Sequence, residues 1–204
     1  MDTNDRAENN FNYARRIAKY GSGRDVLSTG TVQKELERYD KLTSIGILDS
    51  ARPVVLDVGC GMSNYYEYLI NKNFKGDYIG VDVSYEMLTI SRAKFPNNLY
   101  ICGEIQEIPA GIKEIDFIVS SQTFNRKLHF SDNYYEIENF IKFATKLARS
   151  GVAFDLLSDY VDFFEEKHFY YSPEKIFKFC KQLFKKVNLL HDLEGFEFVI
   201  QIKK

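Results

Sequence analysis

A run of apolar, β-branched residues, Val54-Val55-Leu56, ends on Asp57 and passes through Val58 into Gly59-Cys60-Gly61. No other segment constrains the fold as tightly. A buried strand that meets a tight glycine turn and then a helix is the opening of a parallel α/β sheet. The glycines let the backbone approach a ligand where a Cβ would collide with it. The helix beyond, from about residue 63 to 71, offers unpaired N–H groups and a positive dipole end that suit a carboxylate or phosphate. The next apolar run, Tyr78-Ile79-Gly80-Val81, ends on Asp82. That acid lies about 20 residues beyond the turn, where a carboxylate accepts hydrogen bonds from both hydroxyls of a ribose.

The rest of the chain continues the alternation. Residues 99–102, 115–119 and 151–157 read as core strands. Ser84 can cap a helix carrying Met87, Leu88 and Ile90, and Ser131 or Asp132 can open one whose apolar face is Ile137, Phe140, Ile141, Ala144 and Ala148. Ser172-Pro173 starts a further helix that buries Ile176, Phe179, Cys180, Leu183 and Phe184. Strands 187–190 and 196–202 are separated by a gap too short for a helical crossover, so they form an antiparallel hairpin. The expected fold is α/β, a doubly wound, mostly parallel, seven-stranded, Rossmann-like sheet with a C-terminal antiparallel hairpin and N-terminal helices. Phe11, Ala14 and Ala18 mark the first N-terminal helix and Val32, Leu36 and Tyr39 the second, joined through Gly21-Ser22-Gly23. Residues 1–50 precede the first core strand. They are expected to form a helical cap or lid, or to cover one sheet face, while residues 51–204 form the α/β domain.

Composition narrows the function classes. A formal net charge of -2 gives no global basis for nucleic-acid binding. The Lys-rich run Lys175, Lys178, Lys181, Lys185, Lys186 reads as the wet face of a helix. Cys60, Cys102 and Cys180 are widely spaced, with neither a metal-ligand pattern nor a disulfide framework, which fits a reducing compartment. The first ten residues hold no apolar signal-peptide core, and no apolar run approaches the roughly 20 residues of a membrane span, so the expected location is the cytoplasm.

The glycine turn alone is shared with dinucleotide folds. Two residues separate the alternatives. Asn64 stands where the dinucleotide fingerprint takes a third glycine, and Asp57 would repel a pyrophosphate but hold an ammonium group. The chain is also too short for the usual separate substrate domain. The ligand inferred is a nucleoside carrying an amino acid.

From about residue 50 onward the sequence resembles the class I S-adenosylmethionine-dependent methyltransferases. Asp57-Val58-Gly59-Cys60-Gly61 is similar to that family's first motif, which lies against the methionine part of the cofactor, and Asp82 matches its ribose-binding acid. Gly103-Glu104-Ile105 falls where the family has Gly-Asp-Ala or similar beside the adenine, with Glu104 in place of the commoner Asp. Ser120-Ser121-Gln122 ends the fourth strand, near the transferable methyl. The resemblance therefore implies S-adenosylmethionine as cofactor, held by Asp57, Gly59, Cys60, Gly61, Asp82, Val83, Met87, Glu104, Ile105 and Ser120. Residues 154–163 and Tyr170-Tyr171-Ser172-Pro173 look like a bacterial subgroup whose resemblance suggests tailoring of sugars or secondary metabolites.

Methyl transfer from a sulfonium needs proximity, orientation and exclusion of water, and a base only where the acceptor must lose a proton early. His129, shortly after the fourth strand, is the candidate base, against the reading of a hydrogen-bonded structural histidine; His168 and His191 read as loop and hairpin residues. Tyr20, Gln122, Asn125 and Tyr160 are candidate acceptor contacts, with Arg126 similarly placed. Phe163, Phe164, Phe169, Tyr170 and Tyr171 read as core packing or as a pocket floor. Ser120-Ser121-Gln122-Thr123 lacks the two prolines and aromatic that resemble adenine and glutamine modifiers, which argues against a DNA base or a protein glutamine. The expected activity is methyl transfer to oxygen or nitrogen of a small molecule, without metal, membrane or nucleic-acid partner. The competing readings are a non-catalytic S-adenosylmethionine-binding module and a nicotinamide-dependent oxidoreductase.

Overall fold

A computed structural model of the chain describes residues 1–23, 26, 30–109, 111–112 and 114–204. Two helices come first, α1 (Thr3–Tyr20) and α2 (Val32–Thr43), followed by β1 (Val54–Val58), α3 (Asn64–Asn71), β2 (Asp77–Asp82), α4 (Tyr85–Lys94) and β3 (Leu99–Cys102). The second half holds β4 (Phe117–Ser120), α5 (Asn133–Leu147), β5 (Gly151–Leu157), α6 (Pro173–Leu183), β6 (Lys186–Leu190) and β7 (Glu197–Lys203). Helix starts are set by side chains that accept an orphan N–H of the first turn. Ser84 takes Met87 N–H at 3.3 Å and Asp132 takes Tyr135 N–H at 2.7 Å. Ser172 takes Lys175 N–H at 3.2 Å, with Pro173 at the first helical position.

The seven strands form one sheet in the order β3-β2-β1-β4-β5-β7-β6. All pairs are parallel except those of β7, which runs antiparallel to both β5 and β6. The order reverses between β1 and β4, and a ligand crevice opens at such a switch point beyond the carboxyl ends of the strands. The core strands are buried on both faces, as parallel strands covered by helices must be. Along β5, Val152, Phe154 and Leu156 join α5 and α6 in one apolar cluster, while Ala153 faces a second cluster with Tyr39, Leu42 and Tyr65. The face predicted for α5 is the one it buries: Ile137, Phe140, Ile141 and Ala144 are at most 2% exposed.

The N-terminal helices differ from expectation in which face they turn inward. Phe11 and Ala18 are exposed, and so are Val32 and Leu36. Tyr39 is buried as expected, but α2 buries it together with Glu35, Arg38, Leu42 and Thr43. It packs on the sheet beside α3, with Thr43 Oγ1 and Tyr65 Oη 2.9 Å apart. The only residue of α1 classed as buried is Asp5, whose carboxylate accepts the main-chain N–H groups of His129 (2.8 Å) and Phe130. Strand ends shift slightly: β4 runs from Phe117 to Ser120 rather than from 115, β7 runs from 197 to 203, and β2 and β6 each begin one residue earlier than expected. No helix among the described residues is long and apolar enough to cross a membrane.

Candidate cofactor and acceptor site

At the switch point a cavity of about 540 Å³ lies between the β1–α3 turn, the ends of β2 and β4, and the inner side of α1. The turn is built by main-chain bonds: Gly59 and Cys60 N–H donate to Val81 C=O at 2.8 and 3.0 Å. Gly59 (φ +74°) admits no side chain, because a Cβ there would stand 2.1 Å from Thr123 Oγ1. Thr123 in turn donates to Val58 C=O at 3.0 Å, clasping the glycine turn to the segment after β4. Ser63, the N-cap of α3, makes no capping bond; its hydroxyl goes to Ser91 at 2.9 Å, so no Ser63 hydroxyl caps the first turn of α3.

Two acids reach this cavity. Asp82 accepts Gly61 N–H on Oδ2 and Ser84 N–H on Oδ1, each at 2.8 Å. A carboxylate has about four lone-pair positions, so both oxygens can still accept hydroxyl donors. Asp57 is 3% exposed and accepts the Tyr78 hydroxyl at 2.7 Å. Burial pushes its carboxyl up to about 7, against the Tyr78 hydrogen bond, with the charges of Asp82 and Asp155 adding to the rise. Asp57 forms no ion pair among the described residues, so a buried acid faces the cavity with only a hydroxyl for company. That environment fits a ligand ammonium, and Asp82 fits the paired hydroxyls of a ribose. Val83, Met87 and Ile105 line the same end, Met87 packed with Val26 and Met62. Cys60 also lines it, and burial raises its thiol well above the ordinary range, leaving it an inert small residue.

Other expected contacts are placed differently. Glu104 lines the cavity, but its carboxylate meets the amino group of Met1 at 3.1 Å, which brings the start of α1 across the site intended for adenine. Ser120 is buried and off the cavity, its hydroxyl donating to Val58 C=O at 2.9 Å as a strap between β4 and β1. His129 is exposed and off the cavity, held there because Asp5 captures its main-chain N–H. Tyr20 is exposed at the end of α1, with Lys19 Nζ 4.8 Å from its ring centroid, and does not line the cavity. Tyr160 is 63% exposed, its hydroxyl on Glu174 and its ring 5.8 Å from that of His191, also away from the cavity.

Gln122 and Asn125 do line it. Gln122 sits in the left-handed region (φ 60°). The Asp155 carboxylate holds it there, accepting its main-chain N–H and its Nε2, both at 3.0 Å. Asp155 also takes the Ser121 hydroxyl at 2.6 Å and is 1% exposed; burial lifts it to about 6, while Arg38 pulls it down. Arg38, likewise 1% exposed, bonds Glu197 at 3.2 Å, and Glu197 accepts Gln122 Nε2 at 3.1 Å. This chain of buried polar groups links α2, β7, β5 and the segment after β4, and nothing in local sequence pattern announces it.

Sequence reasoning named Tyr20 on the first helix but missed the residues of α1 that line the cavity, Asn9, Asn12, Tyr13 and Arg16. The signal was present: these polar residues recur at the three- and four-residue spacing of one helix face. His168 lines the cavity too, close to Arg126 through an isolated antiparallel bridge, and burial holds its imidazole below the ordinary value. Of the aromatic group, Phe163, Tyr170 and Tyr171 line the cavity, whereas Phe164 is exposed and Phe169 packs against the core.

A doubly wound sheet with β7 reversed, a glycine turn after β1 and an acid ending β2 defines a class I S-adenosylmethionine-dependent methyltransferase. The comparisons agree: residues 55–151 match the family model described as a methyltransferase domain. Over 167 residues the chain is 32% identical to Rv1506c of Mycobacterium tuberculosis (strain ATCC 25618 / H37Rv), which bears a methyltransferase name, covering 78% of this chain and 98% of that protein. The chain belongs to the methyltransferase family, with S-adenosylmethionine as its cofactor. Its fold is shared with magnesium protoporphyrin IX methyltransferase of Synechocystis PCC 6803 with bound SAH (TM-score 0.66, 14% identity, 98% of this chain and 100% of that one). It is shared as well with CalS10, an amino pentose methyltransferase from Micromonospora echinaspora, in its SAM-bound form (TM-score 0.63, 14% identity, 86% of this chain and 93% of that one).

Proposed function

We propose that this protein methylates an oxygen or nitrogen atom of a small molecule, of the sugar or secondary-metabolite class, in the cytoplasm. The observation that carries this reading is the continuity of one cavity from Asp57 and Asp82, past Gln122 and Asn125, to the inner face of α1. Its volume of about 540 Å³ suits a cofactor and a small acceptor together. The amino pentose methyltransferase among the fold neighbours acts on a substrate of that class.

In this reading Asp57 holds the ammonium of the cofactor, and the main chain of Gly59, Cys60 and Gly61 lies along its methionine part. Asp82 receives the ribose hydroxyls, and Val83, Met87 and Ile105 enclose the adenine. Glu104 reaches the adenine amino group only by exchanging its contact with Met1. The cofactor supplies a methyl group on a sulfonium, ready for in-line displacement. The protein orients the acceptor with Gln122 and Asn125 and excludes water with α1 acting as a lid. Where the acceptor must lose a proton, His168 is the histidine in reach of the cavity and stands neutral to take it.

Calorimetry with S-adenosylmethionine, S-adenosylhomocysteine and NAD tests the cofactor assignment, and S-adenosylhomocysteine formation against a panel of sugars and metabolites tests the activity. Binding of NAD without S-adenosylmethionine would overturn the reading. Binding of S-adenosylmethionine without turnover on any small molecule would favour a non-catalytic binding module.

A further inference from the structure

Two amide side chains, Gln122 and Asn125, stand on the segment after β4, and each is held by one end only. Gln122 Nε2 reaches Asp155 Oδ1 at 3.0 Å and Glu197 Oε1 at 3.1 Å. Ionised carboxylates accept and never donate, so the NH₂ end of this amide must face them. Its carbonyl oxygen is left without a protein partner among the described residues. Asn125 is held in the opposite sense. Its Oδ1 accepts Leu157 N–H at 2.9 Å, and its Nδ2, in a side chain only 4% exposed, has no hydrogen-bond partner among the described residues. Both residues line the cavity. A buried donor left unmade is costly, and its natural completion is a ligand. From α1, Asn9 adds a buried carbonyl oxygen without a partner among the described residues, on the same cavity. Of the guanidinium groups that reach this segment, Arg38 is paired with Glu197 through Nη1 at 3.2 Å and Arg126 with Glu8 at 2.6 Å.

We propose that Gln122 and Asn125 select an acceptor whose recognised group is neutral and carries both a hydrogen-bond donor and an acceptor, a hydroxyl or a carboxamide. Gln122 Oε1 receives its N–H or O–H, and Asn125 Nδ2 donates to its oxygen. Asp155, Glu197 and Arg38 are positioning residues, which act by fixing the direction of the Gln122 amide. A carboxylate group would meet Gln122 Oε1 with no donor to offer, and an alkylammonium would leave Asn125 Nδ2 unpaired. The inference rests on the acceptor end of the cavity lying where the proposed function puts it.

The test uses the full chain saturated with S-adenosylhomocysteine and five probes on one phenyl ring, which suits the aromatic walls of Phe124 and Tyr171: benzamide, benzyl alcohol, benzoate, benzylamine and acetophenone. Ligand-observed NMR titration should rank benzamide and benzyl alcohol roughly three- to tenfold tighter than the other three, the size of one neutral hydrogen bond. Asn125→Asp keeps the oxygen that Leu157 needs and replaces the donor by an acceptor; it should erase the preference for benzamide and favour benzylamine. If that variant does not fold, the ranking on the unaltered protein decides. Normal binding of S-adenosylhomocysteine with a flat ranking, absence of probe binding included, overturns this inference alone. Failure to bind S-adenosylhomocysteine overturns it together with the functional reading.

Discussion

Tyr78 donates its hydroxyl to the Asp57 carboxylate across 2.7 Å, joining β2 to β1 beneath the glycine turn. Burial outweighs this bond and leaves Asp57 titrating at about 7. A cationic ligand favours the ionised carboxylate, so affinity should be full above that value. It should fall by about tenfold for each pH unit below it, with a proton released on binding. Calorimetry of S-adenosylmethionine from about pH 5.5 to 8, in buffers of different ionisation enthalpy, reads both quantities. An affinity flat across that range removes Asp57 from the ammonium site.

The same burial has a cost in the ligand-free protein. A carboxyl raised on folding binds its proton more tightly folded than unfolded, so its contribution is present below the unfolded value of 3.8 and is lost as pH rises towards about 7. Asp155, raised to about 6, acts in the same direction. Asp57→Asn should therefore stabilise the ligand-free protein at pH 8 by on the order of 3 kcal/mol while weakening S-adenosylmethionine binding. Thermal melts at pH 5 and pH 8 check this; a destabilised variant at pH 8 contradicts it.

Asp82 both faces the cavity and accepts Gly61 and Ser84 N–H. Asp82→Ala should cost about 1.5–3 kcal/mol of cofactor affinity through hydrogen bonds lost from a charged acceptor, and should lower the melting temperature as well. Competition separates the two effects. Adenosine should displace cofactor better than its 2′,3′-dideoxy form in the unaltered protein, and the difference should vanish in the variant. Equal competition by both nucleosides in the unaltered protein would exclude a ribose contact.

α1 contributes a polar face to the cavity, whereas α2, whose Arg38 and Tyr39 also reach it, is part of the sheet-covering core. Removing residues 1–30 should leave a folded domain that retains some cofactor binding and loses turnover. In the full chain, amides of α1 should exchange faster than those of β1 and β4 without ligand and slow when S-adenosylmethionine binds. Exchange of α1 as slow as the central strands in the ligand-free protein would rule out a lid.

His129→Ala should leave turnover within about twofold, since its side chain is exposed and off the cavity. His168→Ala should lower kcat by roughly 100-fold on an acceptor that must be deprotonated, with little change in cofactor affinity. A large loss in the first and none in the second would reverse the assignment.

The sequence by itself determined the sheet, its glycine turn and its closing hairpin, because these are written locally. Buried β-branched runs make strands, Gly59 and Gly61 permit the turn, and a gap of residues 191–195 allows no crossover. It also placed Asp57, Asp82 and Gln122 at strand ends, which the topology gathers at one edge. Tertiary structure alone decided what α1 and α2 turn inward. A search for apolar stripes finds Phe11 and Val32, yet the inner face of α1 is polar because it meets a cavity, and α2 buries Arg38 because Glu197 waits 159 residues away in sequence. His129, Tyr20 and Tyr160 fell outside the cavity for the same reason. Apolar burial leaves a periodic trace in the chain, whereas a hydrogen bond between distant residues leaves none until the fold brings its two ends together.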